Sequence, residues 1–205
     1  VITWVDGNSE RHRQRRLHYM SKERTALHEN ATNPHRWECN DEIIYCLISI
    51  ENHAPWVRNI WIVVDDEVPD LSSLPDALRR KILIAYHHKI FADFQEALPT
   101  FNSLAIESMI WRIEGLSERF LYFNDDVFLT APLQPSDVFE GNAPVLRGKW
   151  ANYASIVSDP DAHKDPSLFN HFTQINAAKM LCFKETHLFA TAHVVHPFLC
   201  SKMEH

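Results

Sequence analysis

The chain has 205 residues, of which 45% are hydrophobic and 23% charged, and this globular composition excludes a disordered protein. Its 20 Lys and Arg residues stand against 27 Asp and Glu residues, and the net charge of −7 disfavours sequence-independent binding to nucleic acid. No apolar run reaches the ~18 residues that a transmembrane helix needs, and the four glycines form neither a GxGxxG motif nor a P-loop.

The chain opens with a short predicted strand and a polar segment. The β-branched and aromatic run at residues 1–5 predicts a strand that ends in a turn at Asp6-Gly7. Residues 9–36 are polar, and their first half is predicted to be helical until Pro34 breaks the helix. The closely spaced arginines of this segment are expected to form a solvated face.

A helix and two strands are predicted next. Asn40 is expected to cap a helix that runs to about Asn52, because apolar residues recur there at helical spacing. Two apolar runs, at residues 59–64 and 81–86, predict strands, and the first run is continuous enough for a strand buried on both faces.

The remaining elements complete an alternating pattern. A helix is predicted from Asn102 or Ser103 to Ile113, and a strand at residues 119–123. The part from about Leu133 onward is less regular, with a helix at residues 170–181. The alternation of strands and helices predicts an α/β fold, with a mainly parallel sheet and helices packed on its faces.

Polar residues follow four of the predicted strands at the point where each strand ends. Ligands of open parallel α/β sheets bind beyond the carboxyl ends of the strands, so these residues are expected to meet at one rim. They are Asp6-Gly7, Asp65-Asp66-Glu67, His87-His88 and Asn124-Asp125-Asp126.

Asp125 and Asp126 are the candidate metal ligands. Adjacent carboxylates between apolar runs are costly to bury without a cation. Mg²⁺ prefers a few carboxylates, several waters and substrate phosphate oxygens, so the pair is typical of a metal that holds a diphosphate. The alternative is a polar turn in which both side chains lie in water.

The segment from His163 onward holds six of the thirteen histidines, and His193 and His196 form the tightest grouping within it. A neutral imidazole can accept the proton of an attacking hydroxyl near pH 7. The histidines could instead bind Zn²⁺ beside His187, Cys182 or Cys200, although the spacing matches no standard zinc pattern. Ordinary surface or core histidines are the third interpretation.

The segment at residues 98–103 leads into a predicted helix. Free backbone N–H groups at the start of a helix can bind phosphate or sugar oxygens. The alternative is an ordinary capped helix with no ligand. Glu107 and Arg112 lie on the same helix, and the alternative to a binding role for them is a charge pair or simple surface exposure.

Several segments of the chain resemble motifs of the Stealth proteins. Residues 3–7 resemble the opening motif of that family, and residues 40–60 resemble its second block. Residues 98–128 continue the second block, where the similarity is dense, and residues 193–197 resemble a weaker third block. The combination of these motifs in this order is specific to the family.

The resemblance implies a reaction. Stealth proteins include bacterial capsule polysaccharide phosphotransferases and the animal N-acetylglucosamine-1-phosphotransferase. Their activity implies transfer of a hexose-1-phosphate from a nucleotide sugar, commonly a UDP-sugar, to a sugar hydroxyl of an oligosaccharide or polysaccharide. The products would be a phosphodiester and UMP. The resemblance also implies a Rossmann-like, glycosyltransferase-A-related three-layer core and a divalent metal, Mg²⁺ or Mn²⁺.

The resemblance also implies roles for particular residues. Asp125 and Asp126 would hold the metal, with Asp126 also counted among the catalytic residues, and His196 or, less favoured, His193 would be the general base. The nucleotide sugar and the acceptor would be bound by Trp4, Asp6, Gly7, Asn40, Glu42, Thr100, Asn102, Ser103, Glu107 and Arg112.

Residues 1–205 are interpreted as a single catalytic-core domain, a fragment of a longer chain that lacks the family's fourth block. The sequence departs from the family pattern, so acceptor choice and activity can differ from those of the family. The cysteines form no CxxC pair and are expected to be reduced. Together with the family resemblance, this predicts a cytoplasmic protein, peripheral at the bacterial inner membrane, whereas a Golgi lumen would fit the animal branch. The departures are Cys39, Ile48, Asp66, Met109 and Trp111.

Two other functions fit the same residues. A nucleotide-sugar glycosyltransferase would use a similar fold and metal site, but it would release a nucleoside diphosphate. A non-catalytic module that binds sugar or zinc would use Asp125 and Asp126 for structure alone. Metal-dependent turnover separates an enzyme from a module, and the nucleotide that is released separates the two enzymes.

Overall fold

The computed structural model describes residues 1–22, 33, 37–184 and 186–204, and the expected helix break at Pro34 lies outside them. The described residues form two compact units. The first is drawn from Val1–Arg16, Glu38–Leu146 and the chain from His193 onward, and the second from Leu17–Trp37 and Arg147–Ala192. The interpretation of residues 1–205 as one domain stays a prediction.

The described strands and helices alternate through the first unit, as the sequence predicts. The strands are β1 (Ile2–Thr3), β2 (Ile60–Val64), β3 (Ile82–Tyr86), β4 (Arg119–Asn124), β5 (Phe139–Glu140), β6 (Ala143–Pro144), β7 (Gly148–Asn152), β8 (His187–Thr191) and β9 (His196–Leu199). The α-helices are α1 (Glu10–Met20), α2 (Glu42–His53), α3 (Asp76–Arg79), α4 (His87–Ile90), α5 (Ser103–Glu107), α6 (Pro135–Val138), α7 (Ala154–Ser158), α8 (Phe169–Met180) and α9 (Cys200–Met203). Short 3₁₀ helices lie at Gln95–Ala97, Ile110–Arg112, Ala162–Lys164 and Pro166–Leu168.

A five-stranded sheet organises the first unit, in the order β3-β2-β1-β4-β9. The first four strands of this order are parallel, so the predicted mainly parallel α/β sheet is confirmed. Strand β9 pairs antiparallel with β4, with Tyr122 opposite His196 and Arg119 opposite Leu199. Strand β9 was not predicted from the sequence.

Both faces of this sheet are covered by apolar side chains. Successive strand residues point to opposite faces. Ile62 packs with Ile43 and Leu47 of α2 on one face, whereas Val63 packs with Tyr122 on the other. The continuous apolar run of β2 is therefore explained by burial on both sides, and the layered Rossmann-like core is confirmed.

Asn40 does not cap α2, which corrects the sequence prediction. The capping position belongs to Asp41, whose φ of 60° is left-handed and whose side chain makes no capping hydrogen bond. The backbone N–H and the side-chain amide of Asn40 instead donate to the carboxylate of Glu42, at 2.7 and 3.2 Å. Glu42 thereby holds the turn that precedes its own helix.

The predicted helix from Asn102 to Ile113 is interrupted. Asn102 is the N-cap, since its Oδ1 accepts from the backbone N–H of Leu104 at 3.0 Å. The α-helix ends at Glu107, and Ser108 donates its hydroxyl to the carbonyl of Ala105 at 2.8 Å. A serine hydroxyl that bonds to the local backbone competes with helix continuation, and a 3₁₀ turn follows instead.

The second unit contains an antiparallel β7–β8 pair and the helix α8, which confirms the predicted helix at residues 170–181 within one residue at each end. Tyr153, Ile175 and Leu188 form its small core. Two 3₁₀ helices and irregular segments lie between these elements, as the less regular pattern of the sequence indicates. No helix among the described residues is long and apolar enough to cross a membrane.

Candidate functional site

Four polar segments meet at the carboxyl edge of the parallel strands, as the sequence analysis predicts. They follow β1, β2, β3 and β4, which are neighbours in the sheet. We call this edge the rim. The contacts at the rim fall into two clusters with different electrostatic character.

The first cluster is made of ion pairs between α1 and the loop after β2. Arg15 lies 2.6 Å from Asp65 and 2.9 Å from Asp66, and Arg11 lies 2.7 Å from Asp66. His87 is buried 3.9 Å from the other oxygen of Asp65. The charge of both carboxylates is thus balanced by protein cations, and two of the arginines that were expected to be solvated have a structural partner.

The second cluster joins the loop after β4 to the segment before β9. Nδ1 of His193 lies 3.3 Å from Nδ2 of Asn124, and Nε2 of His193 lies 3.4 Å from Oδ1 of Asp126. His193 and Asp126 are both exposed, with 65% and 62% of their side chains accessible. A ligand at the rim can therefore reach both groups.

The loop after β4 is fixed from two sides. The backbone N–H of Val127 donates to the carbonyl of Asn124 at 3.1 Å, which closes a turn around Asp125. The buried hydroxyl of Ser49 on α2 accepts from the backbone N–H of Leu129 at 3.0 Å. The positions of the two aspartates consequently depend on α2 as well as on β4.

Asp125 and Asp126 differ in burial. Burial and the neighbouring charge of Asp126 raise the pKa of Asp125 to about 6, and the carboxylate of Glu42 adds to the rise. Beneath them, burial raises the pKa of the Cys46 thiol to about 12, and Asp125 contributes to that rise too. Asp125, Asp126 and Glu42 thus concentrate negative charge that a cation would stabilise.

The donor set fits Mg²⁺ or Mn²⁺. Two adjacent carboxylates leave the other coordination positions of the ion to water and substrate phosphate, which is how Mg²⁺ is commonly held. Among the described residues there is no group of three or more His, Cys, Asp or Glu side chains that could hold a metal. The zinc alternative therefore lacks a ligand set there, and a magnesium site would need substrate oxygens.

Asn8 ties the turn after β1 to the segment before α2. Its backbone N–H donates to Oδ1 of Asp6 at 2.9 Å, and its side-chain amide donates to the carbonyl of Cys39 at 2.6 Å. Asn8 is not among the binding residues that were predicted from the sequence. An Asx turn from Asp6 to Asn8 was readable from the local sequence, but the contact with Cys39 was not.

Trp4 and Gly7 flank Asp6 in the same segment. Trp4 is buried, and its indole N–H has no hydrogen-bond acceptor among the described residues. Gly7 and Asn8 form the turn that follows β1. The indole nitrogen is shielded within the first unit, whose core Trp4 joins.

The predicted binding residues around α5 lie in different environments. Thr100 accepts from the backbone N–H of Asn102 at 3.3 Å, and Ser103 is the first, exposed residue of α5. Arg112 forms an ion pair with Asp93 rather than with Glu107. Burial raises the pKa of the Glu107 carboxyl, which lies close enough to Tyr122 to raise the pKa of that phenol.

His196 lies on β9 rather than in the loop that carries His193. It is opposite Tyr122, half-buried, and stacked on Phe198 with ring centroids 6.2 Å apart. Burial is the main cause of a lowered pKa of His196, and the proximity of His193 adds to it, so the imidazole of His196 is neutral at pH 7. Of the two histidines, the described contacts bring His193 to Asp126.

The fold and the rim define an α/β protein with a candidate anion- and metal-binding site at the carboxyl edge of its sheet. A family model for the Stealth protein conserved region 2 matches residues 36–145, more than half of the chain, and the chain belongs to the Stealth family. This match includes Asp125 and Asp126.

The chain is similar to three curated relatives. It is 45% identical over 142 residues to an exopolysaccharide phosphotransferase of Streptomyces coelicolor, covering 69% of this chain and 23% of the relative. It is 38% identical over 145 residues to a capsular polysaccharide phosphotransferase of Neisseria meningitidis serogroup B, covering 69% and 37%. It is 46% identical over 104 residues to the human N-acetylglucosamine-1-phosphotransferase subunits alpha/beta, covering 51% and 8%. The matched part thus spans well under half of the length of each relative.

Proposed function

We propose that the chain is the catalytic core of a sugar phosphotransferase. It would transfer a hexose-1-phosphate from a nucleotide sugar, a UDP-sugar in the first instance, to a hydroxyl of an oligosaccharide or polysaccharide. The observation that carries this proposal is the meeting of Asp125, Asp126 and His193 at the rim. The printed names of the relatives support the same class of reaction.

The reaction forms one bond and breaks one bond at phosphorus. The acceptor hydroxyl oxygen attacks the phosphorus that carries the sugar, and the bond from that phosphorus to the oxygen bridging to the nucleotide breaks. The products are a sugar phosphodiester and UMP. The proton of the hydroxyl passes to a base, for which His196 is proposed because its neutral imidazole can accept it.

Asp125 and Asp126 would hold Mg²⁺ or Mn²⁺. A bound divalent ion would neutralise the charge that grows on the phosphoryl oxygens. The protein side of this site is a turn fixed by α2 and β4, so the carboxylates are oriented before substrate binds.

The donor would be bound along the turn after β1 and the start of α2. Trp4, Asp6 and Gly7 would line the donor site beside Asn8, and Asn40 would act with Glu42. The binding roles of the α5 region remain part of the proposal. Those residues are Thr100, Asn102, Ser103, Glu107 and Arg112.

The proposed setting is capsular or exopolysaccharide synthesis in the cytoplasm of a bacterium, at the inner membrane. All four cysteines are free, which fits a reducing compartment. The names of the bacterial relatives support the polysaccharide product.

The deciding experiment identifies the nucleotide that is released. The full-length protein is incubated with Mg²⁺, a panel of UDP-sugars and a capsule oligosaccharide, and products are followed by ³¹P NMR. UMP together with a new phosphodiester signal is the expected result. Release of UDP would mean glycosyl transfer and would overturn the proposed reaction.

A further inference from the structure

An unbroken chain of side-chain hydrogen bonds leads from the buried side of the sheet to the rim. Thr3 Oγ1 lies 3.0 Å from the hydroxyl of Tyr122, and that hydroxyl lies 2.9 Å from Oδ1 of Asn124. Nδ2 of Asn124 lies 3.3 Å from Nδ1 of His193, whose Nε2 lies 3.4 Å from Asp126. We call these five residues the relay.

The direction of each hydrogen bond follows from the supply of protons. Tyr122 has one hydroxyl proton, and it donates this proton to Oδ1 of Asn124. The hydroxyl of Thr3 must therefore be the donor in its bond with Tyr122. The amide group of Asn124 then has only its N–H₂ side left for His193, so Nδ1 of His193 accepts.

A neutral imidazole carries a proton on one nitrogen only. Because Nδ1 of His193 accepts from Asn124, the proton lies on Nε2 and is donated toward Asp126. If the Asn124 amide were turned the other way, its oxygen would face Nδ1 of His193 and would require the proton there. The lone pair of Nε2 would then face the Asp126 carboxylate. Two acceptors facing each other at 3.4 Å is unfavourable, which supports the first orientation.

We propose that Thr3, Tyr122 and Asn124 are positioning residues that hold neutral His193 as its Nε2–H tautomer. His193 then acts at the rim as a hydrogen-bond donor rather than as a general base. If the proposed phosphotransfer is correct, this N–H is available to a phosphoryl oxygen, and the base function belongs to His196. The tautomer itself does not depend on the reaction.

The burial of the inner relay residue suits this role. Tyr122 is only 1% exposed, so its hydroxyl has no water to replace a lost partner. Burial raises the pKa of Tyr122 above its ordinary value, which keeps the phenol protonated and able to donate. Val195, two residues after His193, is buried in the core and fixes the backbone of that segment.

The test observes the tautomer directly. The full-length protein is labelled with ¹⁵N at histidine, and ring signals are recorded at about pH 9, where imidazole groups are neutral. Loss of signals in His193→Gln assigns them. The expected result is a protonated Nε2 and an unprotonated Nδ1 in the wild type, and a shift toward the Nδ1–H form in Tyr122→Phe.

Tyr153→Phe is the matched control, because Tyr153 is also buried and donates its hydroxyl to a side-chain amide, that of Gln174 at 2.6 Å. It should leave the His193 signals unchanged. Thr3→Val removes the hydroxyl that donates to Tyr122, and this variant replaces Tyr122→Phe in the test if Tyr122→Phe does not fold. An Nδ1–H form in the wild type, or unchanged His193 signals in a folded relay variant, would overturn the proposal.

Turnover gives a second readout. Loss of an outer hydrogen-bonding partner commonly lowers activity by roughly ten- to a hundred-fold, and we expect Tyr122→Phe to lower kcat by this factor with little change in the KM of the nucleotide sugar. An unchanged kcat would contradict the positioning role. Release of UDP by the wild type would contradict the proposed reaction, while the ring signals would still decide the tautomer.

Discussion

Asp126 and His193 are 67 positions apart in the sequence, and their carboxylate and imidazole groups lie 3.4 Å apart at the rim. The antiparallel pairing of β9 with β4 produces this contact, because it brings the segment before β9 next to the loop that follows β4. The site is therefore a product of tertiary structure. Its two halves can be tested separately by substitution.

Asp126→Asn is expected to lower turnover by at least about a hundred-fold, since it removes a carboxylate from the proposed metal site and leaves the shape of the side chain nearly unchanged. Steady-state rates at several Mg²⁺ concentrations measure the effect. Asp76→Asn is the matched control, because Asp76 forms a surface ion pair with Arg79 within α3 and is not part of the loop after β4. Full metal-dependent turnover in Asp126→Asn would exclude the assignment.

Arg15→Ala is expected to lower the free energy of unfolding by about 1 kcal/mol, because it leaves Asp65 and Asp66 close together with one cation fewer. Urea unfolding measures the change. Arg13→Ala removes an exposed pair with Glu10 and should change the free energy of unfolding by a clearly smaller amount. Equal losses in the two variants would show that the rim pairs are ordinary surface contacts.

His87 is expected to make stability depend on pH below neutrality. Burial lowers its pKa in the folded protein, so below the ordinary value of about 6.5 the unfolded chain binds more protons than the folded one. Its contribution is present above pH 6.5 and is lost as the pH falls toward the folded pKa. Asp65 opposes this shift, whereas Arg15 adds to it.

The corresponding measurement compares unfolding free energies at pH 7 and pH 5 for the wild type and His87→Gln. The wild type should lose more stability between these values than the variant. His88→Gln, at an exposed neighbouring position, should behave like the wild type. A variant with the full pH dependence of the wild type would assign that dependence to other groups.

Gly148→Ala is expected to destabilise the β7–β8 pair of the second unit. An added Cβ at Gly148 would collide with the backbone carbonyl of Ala190 on the partner strand, and overpacking of this kind costs about 1–3 kcal/mol. Thermal unfolding followed by circular dichroism measures the loss. Lys149→Ala, at an exposed position of the same strand, should have a much smaller effect, and equal effects would argue against the steric explanation.

Local sequence was sufficient for the parallel strands and for the aspartates at the rim. The apolar run of β2 and the change to Asn124-Asp125-Asp126 after β4 are features of adjacent residues, and they were predictable. The contacts of His193 with Asn124 and Asp126 were not, because they require the register of β9 against β4.

Two local predictions failed or were incomplete for physical reasons. Asn40 has the chemistry of a capping residue, but it lies one position before the cap, which Asp41 occupies, and its N–H groups donate to Glu42. The arginines of α1 were predicted to form a solvated face, since nothing nearby in the sequence shows that Asp65 and Asp66 lie against them.

The position of β1 in the sheet affects how the protein is made. This strand precedes its neighbours β2 and β4 along the sequence, and β9, which completes the sheet, follows them all. During synthesis Asp6 is therefore made before the aspartates that follow β4, and those aspartates are made before His193. Pairings over such separations are slow to form, so the rim is assembled only after β9 has been made.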